Sequence, residues 1–387
     1  MSMKSTSTRG AISVASVALV TILLAGCGSA GGDSPSASSP PDASGSSEAA
    51  EAIIAASGVS DDTSFCGDDE ITLGIHDGFG SNGWSKSSMA AVRTEAAKCP
   101  NVKQVVEIGG GSLQKSISDV NGMVAQGIDA LVIIPDFGEA QLPSLSAATR
   151  AGVKVVAWGA NPGGTPGTDY VEYIDWDPRE AGVTWAEWMV KALNGKGNVV
   201  FLGGPAGNPV TAATLDGVAE VFADNPDLTL LTGTDDWPVT NWDPAEAQRT
   251  MAALLARYPE IDGVITEDGQ GSVGAIRAFV AAGRPLVPFT ALEVNDVACT
   301  FDQYKPDNAA FEFGTISSRN WLGRVAARKA IAAAQGIDYE VPSLYSLPLL
   351  EDSLEGTSPV CDSALPADAF VDSELTTADI EKFGGTS

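Results

Sequence analysis

The sequence predicts an α/β protein built as two doubly wound parallel-sheet lobes with a cleft between them. Three observations carry this. From residue 71 onward, short apolar runs alternate with amphipathic helical stretches. The apolar runs are continuous rather than alternating, as strands covered on both faces by helices require. The strand-helix rhythm restarts near residue 198, and one sheet holding every strand would be unusually long, so two lobes fit better than one.

In order, residues 71–75 (Ile-Thr-Leu-Gly-Ile) read as a strand, followed by a helix over 84–98. A second strand over 104–108 leads to a helix over 113–125, and a third over 130–135 to a helix over 140–150. Residues 153–158 form a fourth strand. The second series opens with a strand at 198–202 and a helix at 210–222, then a strand at 228–233 and a helix at 244–257. A strand at 263–266 and a helix at 273–282 follow, then strands at 286–292 and 309–313, and a last helix at 321–334. Regular strand-helix order implies parallel, doubly wound sheets.

The region before residue 71 has a different character. Lys4 and Arg9 form a short basic head, and residues 11–25 an apolar run too short to span a bilayer comfortably. That layout is a secretory signal, assigned to residues 1–26. Its end, Leu24-Ala25-Gly26-Cys27, resembles the lipobox of bacterial lipoproteins, which implies cleavage before Cys27 and a lipid on that cysteine. Residues 28–50 are almost all Ser, Gly, Pro, Ala and Asp, a composition that cannot bury a core. Residues 27–65 are therefore expected to be anchor and disordered tether, holding the body at the extracytoplasmic face of the cell membrane.

Charge and cysteine content narrow the function. The chain of 387 residues carries 50 acidic and 22 basic side chains, a net charge of −28, and loss of Lys4 and Arg9 with the signal would leave −30. So acidic a body repels phosphate backbones, which argues against a nucleic-acid partner and against membrane contact other than through the anchor. With Cys27 set aside, Cys66, Cys99, Cys299 and Cys361 remain, an even number in an exported chain. Cys66 precedes the first strand and Cys99 ends the first helix, where the two can meet; Cys299 then pairs with Cys361. Four free thiols are the alternative, disfavoured by export. No two of these cysteines stand at zinc-ligand spacing and the chain has one histidine, so no metal is expected.

In open α/β sheets ligands bind beyond the carboxyl ends of the strands. Those ends here read His76-Asp77-Gly78-Phe79, Pro135-Asp136-Phe137 and Trp158-Gly159-Ala160-Asn161, then residues 203–208, Asp235-Asp236-Trp237, Asn241-Trp242-Asp243, Glu267-Asp268 and Glu293-Val294-Asn295. Aromatic rings beside carboxylates and amides suit sugars, which offer apolar C–H faces and adjacent hydroxyls. Each residue also has a plain structural role open to it, as a helix cap or as core. His76 lacks an orienting partner for base catalysis, and no Gly-x-Ser-x-Gly or His-Glu-x-x-His motif occurs. Gly-x-Gly-x-x-Gly occurs at 78–83 and 269–274, but 42 glycines make chance matches expected, and no cofactor is assigned.

At this point the chain resembles the type I periplasmic binding proteins of the ribose-binding kind, the solute-binding components of sugar ABC transporters. The resemblance covers about residues 69–350. It rests on residues 71–84 with their Gly-Trp pair, on Gly127-Ile-Asp-Ala-Leu-Val-Ile-Ile-Pro135, on Ala151-Gly-Val-Lys-Val-Val156 and on Gly203-Gly-Pro-Ala-Gly207. Tyr258-Pro-Glu-Ile-Asp-Gly-Val264 and Gly274-Ala-Ile-Arg-Ala278 belong to it as well. It implies two lobes joined by three crossings, near 175–178, 315–318 and 342–346. The first lobe would then hold 66–176 plus 318–343, the second 177–317 plus 344–365, with a tail at 366–387. By position it implies ligand contacts at His76, Phe79, Trp84 and Asp136 from the first lobe and at Asn208, Trp242, Asp268 and Glu293 from the second. Where the ribose pattern has an Asp-Arg pair, this chain has Gly159 and Ala160 between Trp158 and Asn161, and both flanking residues join the candidate set. The arginine expected after the Gly203 loop is also missing. Few cations and many indoles imply a neutral sugar or polyol other than ribose, delivered to ABC permease subunits. An anchored sensor and an exported carbohydrate-active enzyme are the competing readings, the latter disfavoured because no nucleophile-base set is apparent.

Overall fold

The computed structural model describes residues 62–80 and 82–383. The expected signal, Cys27 and all but the last few residues of the expected tether lie outside them. Phe65, inside the stretch assigned to the tether, is fully buried.

The first sheet holds β1 (Ile71–His76), β2 (Val102–Glu107), β3 (Ala130–Ile133), β4 (Lys154–Trp158), β5 (Glu172–Trp176) and β11 (Leu344–Tyr345). Its order is β11-β5-β4-β3-β1-β2, parallel throughout. The second sheet holds β6 (Gly197–Leu202), β7 (Leu228–Leu230), β8 (Gly263–Thr266), β9 (Phe289–Leu292), β10 (Phe313–Ile316) and β12 (Leu349–Asp352). Its order is β12-β10-β9-β8-β6-β7, with β12 antiparallel to β10 and the rest parallel. β3, β8, β9 and β10 are buried at every position, which is why their sequences are unbroken apolar runs.

In the first lobe, α1 (Gly83–Ala96) and α9 (Leu322–Gln335) pack together, and α9 lies across β3 and β4. On the opposite face, α2 (Leu113–Ala125) and α3 (Leu142–Arg150) close over Leu131, Ile133 and Val155. In the second lobe, α4 (Pro178–Ala192) packs on α5 (Pro209–Asp224), and α6 (Pro244–Arg257) on α7 (Gly269–Ala281). Close approach of α4 and α5 needs glycine: a Cβ on Gly182 would stand 2.0 Å from the Thr214 carbonyl oxygen, and one on Gly217 2.1 Å from that of Arg179. Asp177, Asn208 and Asp243 cap α4, α5 and α6, each followed by proline at the first helical position. The remaining helices are α8 (Asn295–Tyr304) and α10 (Thr377–Phe383). No helix among the described residues is long and apolar enough to cross a membrane.

The two lobes and their parallel sheets match the sequence expectation, and both expected disulfides form, Cys66–Cys99 and Cys299–Cys361. Several boundaries differ. The strand read at 286–292 is confined to Phe289–Leu292, and the one read at 309–313 lies at Phe313–Ile316, in register with β9. The helix read from 273 begins at Gly269, because Asp268 caps it; the second glycine motif is thus helical. β5, α4, α8, β11 and β12 went unread, and the strand read at 228–233 is confined to Leu228–Leu230. The chain crosses between lobes after β5, after β10 and between β11 and β12. Leu344–Tyr345 pairs with β5, so the first sheet reaches slightly past the boundary placed at 343.

Candidate functional site

The carboxyl ends of the two sheets face each other, and each end is stiffened differently. In the first lobe the loop after β1 is held by its own strand-end residues. The Gly78 amide donates to His76 Nδ1 (3.0 Å), the Phe79 amide to Asp136 Oδ2 (2.7 Å), and the Gly109 amide to Asp77 Oδ1 (2.6 Å). With Nδ1 accepting, the His76 proton sits on Nε2, which faces Asp119 at 3.2 Å; the orienting carboxylate that the sequence did not reveal comes from α2. Burial outweighs that carboxylate and depresses the His76 pKa to about 4, so the ring is neutral.

Trp84 stands in the first turn of α1, whose cap is Asn82. Its Nε1 donates to the Ser318 carbonyl (2.7 Å), and its ring lies 5.7 Å from that of Trp158. The next residue along that crossing is Arg319, 6% exposed. Its guanidinium sits between two indoles, 4.8 Å from the Trp84 ring centre and 4.9 Å from that of Trp176. Its backbone is left-handed (φ 58°), a conformation that costs about 1–3 kcal/mol in a non-glycine residue. Arg319 Nε and Nη1 have no hydrogen-bond partner among the described residues. A buried donor left unpaired is costly, and a ligand acceptor would satisfy it.

The second lobe is organised by Glu267, at the end of β8. Its Oε1 accepts from the Gly204 amide (2.8 Å), the Thr211 hydroxyl and the Trp242 indole (2.9 Å). Its Oε2 has no partner among the described residues. Asn241 and Trp242 are both left-handed (φ 53°), and the Trp242 indole packs against Gly204, where a Cβ would meet the ring at 2.3 Å. Asp268 caps α7 through the Gly271 amide.

Where the lobes meet, Asn208 Nδ2 donates to the Asp136 carbonyl (3.0 Å), and Phe79 meets Trp242 edge-on at 5.9 Å. Between them lies a cavity with an accessible volume of about 50 Å³. Trp84, Asp136, Trp242, Glu267, Asp268 and Arg319 all line it, with the amides Asn82 and Gln270 at its edge. Burial pushes the Asp136 and Asp268 carboxyls up to about 7 and raises Glu267 as well. Indole faces, carboxylate acceptors and a guanidinium donor gathered around one cavity match the groups that a small polyhydroxy compound needs.

Of the ten candidates, the structure brings Trp84, Asp136, Trp242 and Asp268 to this cavity. The other six lie elsewhere. His76 is consumed by its loop, and Trp158 is 1% exposed behind Trp84. Phe79 and Asn208 bridge the lobes, and Asn208 also caps α5. Asn161 accepts from the Gly163 amide beside a separate groove with Phe137 and Glu139. Glu293 turns away to accept from the Val371 amide. Arg319 was not foreseen; the scarcity of cations read from the sequence does not hold inside the cleft. Its signal was position, one residue past the crossing expected at 315–318.

Residues 78–337 match the model of the periplasmic binding protein domain family. The chain is similar to the xylitol-binding protein of Mycolicibacterium smegmatis, 27% identical over 257 residues that span 66% of this chain and 70% of that one. It is 28% identical to the D-xylose-binding periplasmic protein of Escherichia coli over 52% of this chain and 59% of the relative. A crystal structure of a galactofuranose-binding protein shares the fold, with a TM-score of 0.64, 21% identity, and coverage of 72% of this chain and 95% of that one.

Proposed function

The chain belongs to the periplasmic binding protein domain family, and from that premise we propose that it captures a small neutral sugar or polyol between its lobes and delivers it to an ABC permease. The observation that carries this is the cavity itself, where Trp84 and Trp242 from opposite lobes flank carboxylates and Arg319. The indoles would cover the C–H faces of the ligand. Glu267 Oε2 and the Asp136 and Asp268 carboxylates would accept its hydroxyls, and Arg319 would donate to its oxygens. The likeness to binding proteins for xylitol and D-xylose supports the ligand class. Delivery from the membrane surface would follow from lipid attachment at Cys27, which rests on Leu24-Ala25-Gly26-Cys27 and the polar stretch after it.

A thermal-shift screen of sugars and polyols tests the ligand class. A true ligand at a hundred times its dissociation constant should stabilise the protein by about 2.7 kcal/mol. No stabilisation by any member of the panel would overturn the reading. Cell fractionation tests the anchor: Cys27→Ala should leave the membrane fraction or remain unprocessed, and normal cleavage with full membrane retention would refute lipidation.

A further inference from the structure

One member of the cavity wall, Phe370, comes from the segment that follows β12. After Cys361, pinned to α8 by its disulfide, the chain runs along the second lobe. The Asn295 side-chain amide gathers the carbonyls of Asp362, Leu365 and Pro366. The Asn295 and Asp296 backbone amides donate to Ala369 and Ala367. Phe370 then drops beside Leu292 into the cavity wall, 4% exposed and packed on the second-lobe core. Two residues later Asp372, also buried, accepts the hydroxyls of Ser317 and Ser318. Those serines belong to the crossing that carries Arg319: Ser317 Oγ accepts from the Arg319 amide (3.0 Å), and the Ser318 carbonyl holds Trp84. The chain ends its run with α10 packed on α1, in the first lobe.

We propose that this C-terminal segment is a working part of the binding site, in which Phe370 is a ligand-contacting wall that limits ligand size and Asp372 positions the crossing that presents Arg319 and Trp84. The proposal rests on the sugar and polyol reading for the ligand. Its basis in the fold is independent of that reading, because the segment touches the second lobe, the crossing and the first lobe in turn. The disulfide, Asn295 and Asp372 fasten the segment, and Phe370 adds packing on the second-lobe core while also lining the cavity beside Leu292. A large ring on the cavity wall therefore points to selection by size, and its removal enlarges the site on one side only.

The test uses the full chain and two variants, Phe370→Ala and Asp372→Ala, with xylitol, D-xylose and D-glucose as calorimetric probes. Phe370→Ala should raise the dissociation constant for the probe that the parent prefers by about tenfold. It should narrow or reverse the preference between five- and six-carbon probes. Unchanged affinities and unchanged preference would overturn the role of Phe370. Hydrogen exchange in the ligand-free protein reads the role of Asp372. The amides of 317–320 should exchange faster in Asp372→Ala than in the parent, and equal exchange would overturn it. If the parent binds none of the three probes, the ligand found in the wider screen replaces them for Phe370→Ala, and exchange in Asp372→Ala still decides the positioning role: parent-like exchange at 317–320 would refute it.

Discussion

The two lobes use the same chemistry at their strand ends for different purposes. In the first lobe, His76, Asp77 and one oxygen of Asp136 spend their hydrogen bonds on loop amides, and Trp158 is sealed behind Trp84. In the second, Glu267 uses one oxygen to fix Trp242 and its other oxygen has no partner among the described residues, while Asp268 caps a helix at the cavity edge. The first lobe thus builds a rigid frame and admits to the cavity little beyond Trp84, Asp136 and Arg319. The second presents its polar groups directly. A strand-end position is not in itself a ligand position: what decides is whether the neighbouring loop has already taken the side chain's hydrogen bonds.

The sharpest way to break this contrast is Arg319→Ala. Charge-assisted hydrogen bonds contribute roughly 1.5–3 kcal/mol each, so losing two should weaken binding about a hundredfold or more. Arg319→Lys should restore little, since an ammonium lacks the flat face that two indoles hold. Parent-like titration of both variants would make Arg319 part of the frame instead.

Next come the paired tryptophans. Trp158→Ala should lower unfolding stability by about 3–5 kcal/mol and leave the affinity of the folded protein near its parent value. Trp84→Ala should do the opposite, with its main effect in calorimetric titration. If the two variants behave alike, the division between frame and presenting surface fails.

Asp268→Asn follows. It keeps a cap for α7 but removes an anionic acceptor, and binding should weaken about tenfold to a hundredfold. Loss of stability with unchanged affinity would mean that capping is the residue's whole task.

The smallest expected effect is on pH. Burial raises Asp136 and Asp268 from 3.8 to about 7, so in the ligand-free protein both bind protons more tightly than in the unfolded chain. Their contribution to stability is therefore greatest below pH 3.8, falls as pH rises from there to about 7, and is flat above. Ligand hydroxyls favour the ionised carboxylates, so affinity should rise as pH climbs through the window below 7 and then level off. Titrations across that range check the slope, and Asp136→Asn should reduce it. An affinity that falls over the same interval would contradict the assignment of both groups as acceptors.

Much of the fold was legible because buried parallel strands leave unbroken apolar runs such as Ala130–Ile133 and Gly263–Thr266. β5 was harder to read, since Glu172 and Asp175 interrupt Glu172–Trp176 although Asp175 is buried. The site was half legible. Trp84 and Asp268 open or cap helices that point into the cleft, and helix starts can be read from local chemistry. Which of two neighbours at a strand exit faces the cavity cannot be, because strand twist and the following turn decide it. At the end of β8 both Glu267 and Asp268 line the cavity, whereas Trp158 at the end of β4 is sealed behind Trp84. Arg319 lay one residue past the expected crossing, where no periodicity marks a side chain's direction, and its left-handed backbone and indole neighbours are what place it at the cavity.

The aromatic arrangement has an optical consequence. Four of the eight tryptophans, at 84, 158, 176 and 242, line the cavity or stack directly behind it. The Trp84 and Trp158 rings are 5.7 Å apart and inclined at 35°, close enough for their excited states to mix. A ligand settling against Trp84 would change the polarity around one chromophore of that pair and shift its tilt against the other. Intrinsic emission and near-ultraviolet dichroism should therefore report occupancy directly, without a dye, a tag or an engineered label.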